Sequence, residues 1–151
     1  MGTYDLNEAL KLDSQLCFPL YAAARKVTGL YTPFLKPLGL TYTQYLVFLV
    51  LWEQDNVSVS EICGRLFLDT GTVTPLLKKL EAEGYLFRAR SSSDERCVVV
   101  SLTEKGHALK QEAALIPEKV GRCIELDAAE ASMLYQTLYR ILGKEKEETH
   151  E

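Results

Sequence analysis

The chain has 151 residues, 47% of them hydrophobic and 25% charged, with a formal net charge of −4. That balance suits a single globular domain able to bury a core without disulfide staples. No apolar run approaches the ~18 residues of a membrane span, and Met1–Asn7 has neither the basic start nor the apolar core of a secretory leader, so the expected location is cytoplasmic, with no membrane partner and with thiols reduced at rest.

In chain order, Asp13 is a good N-cap, and Leu16, Leu20, Ala23, Ala24 and Val27 follow it at helical spacing. A first helix is therefore expected to open at Asp13. Pro19, one turn in, should remove a bond to the Gln15 carbonyl and distort the turn around Cys17. Pro33 and Pro37-Leu38-Gly39 mark the next breaks. Thr41-Tyr42-Thr43-Gln44 has capping-box spacing, and an apolar helix runs from it to Trp52. Ser58-Val59-Ser60-Glu61 repeats that signature ahead of Val59, Ile62, Cys63 and Leu66, a buried stripe. After a short turn at Phe67-Leu68, Asp69 opens a helix whose stripe is Val73, Leu76, Leu77 and Leu80, closed by Gly84.

The period then changes. Leu86–Arg90 and Cys97–Leu102 are β-prone runs separated by the turn segment Ser91–Glu95, which makes a hairpin. Thr103-Glu104 opens a helix with Leu109, Ala113, Ile116 and Val120 on one face, bent at Pro117. Asp127–Glu130 opens the last helix, striped with Ala131, Leu134, Tyr135, Leu138, Ile141 and Leu142. The acidic tail, Lys144–Glu151, reads as a frayed helix end.

Two short helices joined by a tight turn and followed by a hairpin have the order of a winged helix-turn-helix, mainly α with a small β wing. The second helix carries Thr70, Thr72, Thr74, Lys78 and Lys79 away from its leucine stripe, and Arg88, Arg90 and Arg96 stand on or beside the hairpin. Threonines reach phosphates or base edges, lysines supply phosphate charge, and an arginine on the hairpin suits a narrow minor groove. The net negative charge does not oppose this, because charge acts over about one Debye length. Apolar stripes at both chain ends are hard to bury in one small domain and imply a homodimer. The chain divides into dimerisation helices at about residues 12–38 and 104–142 around a winged unit at about 41–102, in a single domain.

Residues 69–81, DTGTVTPLLKKLE, resemble the recognition helix of the MarR family, Asp94-Glu95-Arg96 resembles its wing signature, and Ser101–Gly106 resembles the segment that follows. The resemblance runs from about Leu12 to Leu142. It implies an intertwined homodimer on a near-palindromic double-stranded DNA operator, with Arg96 in the minor groove oriented by Asp94. Leu16-Cys17-Phe18 to Tyr21, Tyr31 and Leu40–Tyr45 resemble the organic hydroperoxide repressors of the OhrR branch. That resemblance implies that Cys17 is the peroxide-reactive thiol, that Tyr31 and Tyr42 hydrogen-bond it across the dimer, and that Cys123 of the other subunit resolves the oxidised form. Cys63 and Cys97 read as packing residues. With His107 and His150 the only histidines and no C-x-x-C pair, neither metal nor other cofactor is expected. Two alternatives stay open: a repressor of this type answering to a small aromatic ligand, and a thiol peroxidase, which would need neither the basic helix nor the wing.

Overall fold

A computed structural model describes residues 5–92, 94 and 96–143. Ser93 and Glu95 of the turn segment, and the tail Lys144–Glu151 with His150, lie outside them. A short helix α1 (Leu6–Ala9) and a 3-10 turn (Leu12–Ser14) precede α2 (Cys17–Gly29). Asp13 therefore sits inside the 3-10 turn, and the helix begins four residues later than the sequence suggested. This also corrects the expectation for Pro19. It is the third residue of α2, where a backbone N–H would have no intrahelical partner, and the Gln15 carbonyl instead accepts from Phe18 N at 3.3 Å in a tighter entry turn.

Next come α3 (Thr32–Leu35) with a 3-10 extension (Lys36–Leu38), then α4 (Tyr42–Glu53), α5 (Val59–Leu66) and α6 (Thr70–Ala82). Thr41 and Gln44 form the full reciprocal capping box at the start of α4, and Gly39 turns the chain into it with φ +70°. Ser58 and Asp69 cap α5 and α6 by accepting from Glu61 N and Thr72 N. Gly84, with φ +78°, ends α6 and sends the chain into the sheet.

The sheet has three strands, β1 (Val57–Ser58), β2 (Leu86–Arg90) and β3 (Val98–Leu102), in the order β1-β3-β2, all antiparallel. The hairpin pairs Leu86 with Leu102 and Arg90 with Val98. β1 did not stand out in the sequence, being two residues long.

Thr103 caps α7 (Glu104–Ala113), which gives way at Ala114–Leu115 to α8 (Ile116–Gly121), with Pro117 in the first turn of the latter. The expected bend is thus a break, and Leu109, Ala113, Ile116 and Val120 are all buried across it. Asp127 and Glu130 form a second full capping box on α9 (Ala128–Ile141).

One core joins α4, α5, α6, the sheet and the inner face of α7–α8. Val47, Phe48, Ile62, Val73, Leu77, Leu80 and Val100 are completely enclosed. Each such side chain contributes about 1.5–3 kcal/mol by burial. Trp52 Nε1 donates to the Gly106 carbonyl at 3.0 Å, locking α7 against α4. A Cβ at Gly106 would overlap the Tyr85 carbonyl oxygen, so this contact requires glycine. By contrast, no residue of α2 or α9 is buried. Among the described residues, no single helix is long and apolar enough to cross a membrane.

Candidate nucleic-acid interface and thiol site

The geometry of α6 is set by its neighbours. Phe67 takes a left-handed conformation (φ 54°) that ends α5, and the chain re-enters a helix at the Asp69 cap. Val73, Leu77 and Leu80 lie inward against the core, which forces Thr70, Gly71, Thr72, Pro75, Lys78 and Lys79 outward. Thr74 is only half-exposed. The Thr72 hydroxyl donates to Asp69 Oδ2 at 2.8 Å while Thr72 N donates to Oδ1, also at 2.8 Å. Those two bonds, the side-chain one foremost, hold the Asp69 carboxyl below its ordinary range. Lys79 Nζ lies 3.9 Å from Glu83 on the next turn, a loose exposed pair that leaves its charge available to phosphates.

The wing arginines divide into different roles. Arg88 points back to α6: its Nε and a terminal nitrogen donate to Glu81 Oε2 at 2.9 and 2.7 Å, and its backbone N–H donates to Oε1 at 3.0 Å. The pair is half-buried, and the Arg88 guanidinium, first through its hydrogen bonds, pulls the Glu81 carboxyl below the usual range. Arg88 is therefore engaged as a brace between strand and helix. The same carboxylate covers an N–H on the edge strand β2. Arg90, by contrast, is exposed near the tip.

Arg96 reaches into solvent, with 92% of its side chain exposed. Its Nε lies 3.2 Å from Asp94 Oδ1, and its backbone N–H donates to the same oxygen at 3.0 Å. A terminal guanidinium nitrogen also donates to Asp94 Oδ2 at 3.4 Å, so Asp94 holds the guanidinium itself through both oxygens while the side chain stays exposed. The Arg96 guanidinium is the leading cause holding Asp94 below its normal range. Cys97, beside them, donates its thiol to Asp94 Oδ2 at 3.7 Å. Together, the outward face of α6 and the exposed Arg96 form a helix-and-wing surface that carries Lys78, Lys79 and Arg96.

Cys17 is exposed as the first residue of α2, on a helix with no acidic residue in its first turn. Nearby apolar side chains, Leu16, Phe18 and Leu20, are also exposed. Tyr31 and Tyr42 pack tilted at 54° with ring centroids 4.8 Å apart, and Tyr45 completes a cluster at 5.8 and 6.5 Å. Burial raises all three phenols, Tyr45 to about 12, so their hydroxyls stay protonated donors. Within one protomer Cys17 makes no hydrogen bond to Tyr31 or Tyr42 among the described residues. Cys123 is exposed after α8 and donates its thiol to the Lys119 carbonyl at 3.4 Å. Cys63 is buried in the core beside Thr70, and Cys97 is half-buried. The protein thus has two exposed thiols at the roots of its two unburied helical regions.

Sequence reasoning missed the position of Pro75, which sits at the centre of the exposed face of α6 in the place given to Thr74. The signal was available: residues 72, 75 and 79 share a face by helical spacing.

Residues 29–113 match the family model described as transcriptional regulator SarA/Rot. The organic hydroperoxide resistance transcriptional regulator of Bacillus subtilis (strain 168) is 43% identical over 88% of this chain and 90% of its own length. Reduced AbfR bound to DNA, a Staphylococcus epidermidis protein, superposes with a TM-score of 0.73 at 36% identity, covering 91% of this chain and 95% of that one. The disulfide-formed structure of AbfR matches at 0.62 and 37% identity, over 90% of this chain and 96% of that one.

Proposed function

The chain belongs to the SarA/Rot-type branch of the MarR winged-helix family, DNA-binding regulators of transcription, and from that premise we propose that it is a repressor that senses organic hydroperoxides through Cys17. In this reading two copies pair through α2 and the α7–α9 region, and the reduced dimer holds a near-palindromic operator with α6 in successive major grooves. Thr70, Thr72, Lys78, Lys79 and Arg90 contact DNA along with Arg96, which Asp94 orients.

The observation that carries the sensing role is the setting of Cys17: an exposed thiol opening a helix, surrounded by unburied apolar side chains. The thiolate is the reactive form of a cysteine, and an apolar surround favours an organic peroxide over a small polar one. Tyr31 and Tyr42 of the partner subunit would supply hydroxyl donors to that thiolate once the dimer forms. The thiolate attacks the outer oxygen of the hydroperoxide, the O–O bond breaks, the alcohol leaves, and Cys17 becomes a sulfenic acid. Cys123 of the other subunit then attacks the sulfenic sulfur, forming a disulfide and releasing water. Such a bond needs Cα atoms within about 7 Å, so closing it moves helices and with them the spacing of the two α6 helices. The likeness to reduced, DNA-bound AbfR at a higher TM-score than to its disulfide form supports reading the present conformation as the binding one.

The test is DNA retention with and without cumene hydroperoxide. Wild type is released by peroxide and runs as a covalent dimer on non-reducing gels. Cys17→Ser folds, dimerises and stays bound. Cys123→Ser loses the covalent dimer and leaves Cys17 open to a small-thiol cap. Release of the Cys17→Ser protein by peroxide would overturn the assignment.

A further inference from the structure

The exposed face of α6 has an uneven chemistry that bears on which bases it reads. The Thr72 hydroxyl gives its proton to Asp69, 2.8 Å away, so toward solvent it presents lone pairs and a methyl group. One turn on, Pro75 lies inside the helix and is exposed. Proline has no N–H, so the usual bond back to the Gly71 carbonyl is not made and that carbonyl keeps acceptor capacity. Pro75 itself offers an apolar ring. Asp69 places negative charge at the helix start, which repels a phosphate there. Apart from the Thr70 hydroxyl at the helix start, side-chain donors on this face begin at Lys78 and Lys79.

We propose that Pro75 is a specificity-determining residue, its ring packing on a thymine methyl in the major groove while the Thr72 oxygen and the Gly71 carbonyl accept from an exocyclic amine. An A·T pair supplies both features, the methyl on one base and the amine on the other, whereas G·C supplies no methyl. The centre of each half-site is therefore an A·T pair facing Pro75. This rests on the reading of α6 as the helix that enters the groove.

The experiment separates the two readings. Duplexes are selected from a random pool by the intact wild-type protein, and the best is resynthesised with deoxyuridine replacing each thymidine in turn, which deletes only the methyl. Wild-type affinity, read by fluorescence anisotropy, falls about fourfold at one position per half-site and about fifteenfold when both are changed, the effect of one methyl-sized apolar contact. Pro75→Ala, a substitution that favours the helix and restores the bond to Gly71, binds the thymine and uracil duplexes alike. A uniform response of wild type to every uracil, or an unchanged thymine preference in Pro75→Ala, overturns the proposal. Lys79→Ala is the control for the underlying reading: it weakens all duplexes and flattens the salt dependence if α6 lies on DNA. If neither Lys79→Ala nor Pro75→Ala alters binding, α6 is not the reading helix and both fall.

Discussion

The winged unit and the terminal helices are built from similar residues and end in opposite states. From Thr41 to Leu102, helices are capped by their own side chains, and apolar stripes close on one another until Phe48, Ile62 and Leu77 see no solvent. In α2 and α9 the stripes are equally apolar, and α9 is equally well capped, yet not one residue is buried. Met133 is 70% exposed and Ile141 61%. Capping sets where a helix starts, whereas burial depends on a surface to pack against, and one protomer supplies that surface only to its centre. The winged unit closes its core together with α7–α8, and in the proposed dimer α2 and α9 are half of an interface.

The sharpest way to break that comparison is to charge the unburied face. Leu134→Glu with Ile141→Glu should leave the helical circular dichroism of the protomer nearly intact but yield a monomer by analytical ultracentrifugation. Operator affinity should then drop by at least about a hundredfold, because the second half-site no longer gains from the first. If the double variant remained a dimer with full affinity, the exposed stripe of α9 would not be the interface.

How much of this was legible in the sequence follows the same division. Thr41, Ser58, Asp69, Thr103 and Asp127 could be read as caps because a cap is a local event, decided by one side chain and the N–H three residues on. The start of α2 could not, since Leu16 stands at its cap position with no side-chain bond, and Asp13, the better capping residue, opens only a 3-10 turn. The strand Val57–Ser58 exists only because Val99 and Val100 lie beside it, a pairing far away in sequence. In the site, the exposed threonines and lysines of α6 were legible from helical period. The fates of Arg88 and Arg96 were not, because their partners differ in a way that position alone does not reveal: Arg96 meets an aspartate two residues away, Arg88 a glutamate on another element.

That contrast between arginines gives the next effect in size. Arg96→Ala should weaken operator binding by about tenfold to a hundredfold, the range of a specific groove contact, with dimerisation and thermal unfolding unchanged. A minor-groove arginine reads shape as well as charge, so the loss should exceed that from removing a single phosphate-contacting lysine. Anisotropy titrations on the same duplex at matched salt decide it. An Arg96→Ala protein with unaltered affinity would mean that the projecting wing does not touch DNA.

The smallest effect concerns the brace. Glu81→Gln keeps the shape of the side chain and an acceptor for one Arg88 bond but removes the charge. Because the pair is partly solvent-exposed, its rupture should cost only about 0.5–1 kcal/mol in urea unfolding. The sign with pH follows from the depressed Glu81 carboxyl. A carboxyl that ionises more easily in the folded state binds fewer protons there than when unfolded, so its contribution is complete above the ordinary glutamate range. It is lost as pH falls through the folded value. Wild type should therefore lose an increment of stability on acidification that Glu81→Gln lacks, and the two unfolding curves should converge at low pH. On DNA the variant should behave in the opposite sense to Arg96→Ala. With no carboxylate to hold it, Arg88 is released beside α6 and a negative charge is gone, so binding to random duplex should strengthen and its salt slope steepen by about one counterion. Were the slope unchanged while stability fell, Arg88 would be too far from the phosphates to matter even when freed, and its role would be confined to holding the strand against the helix.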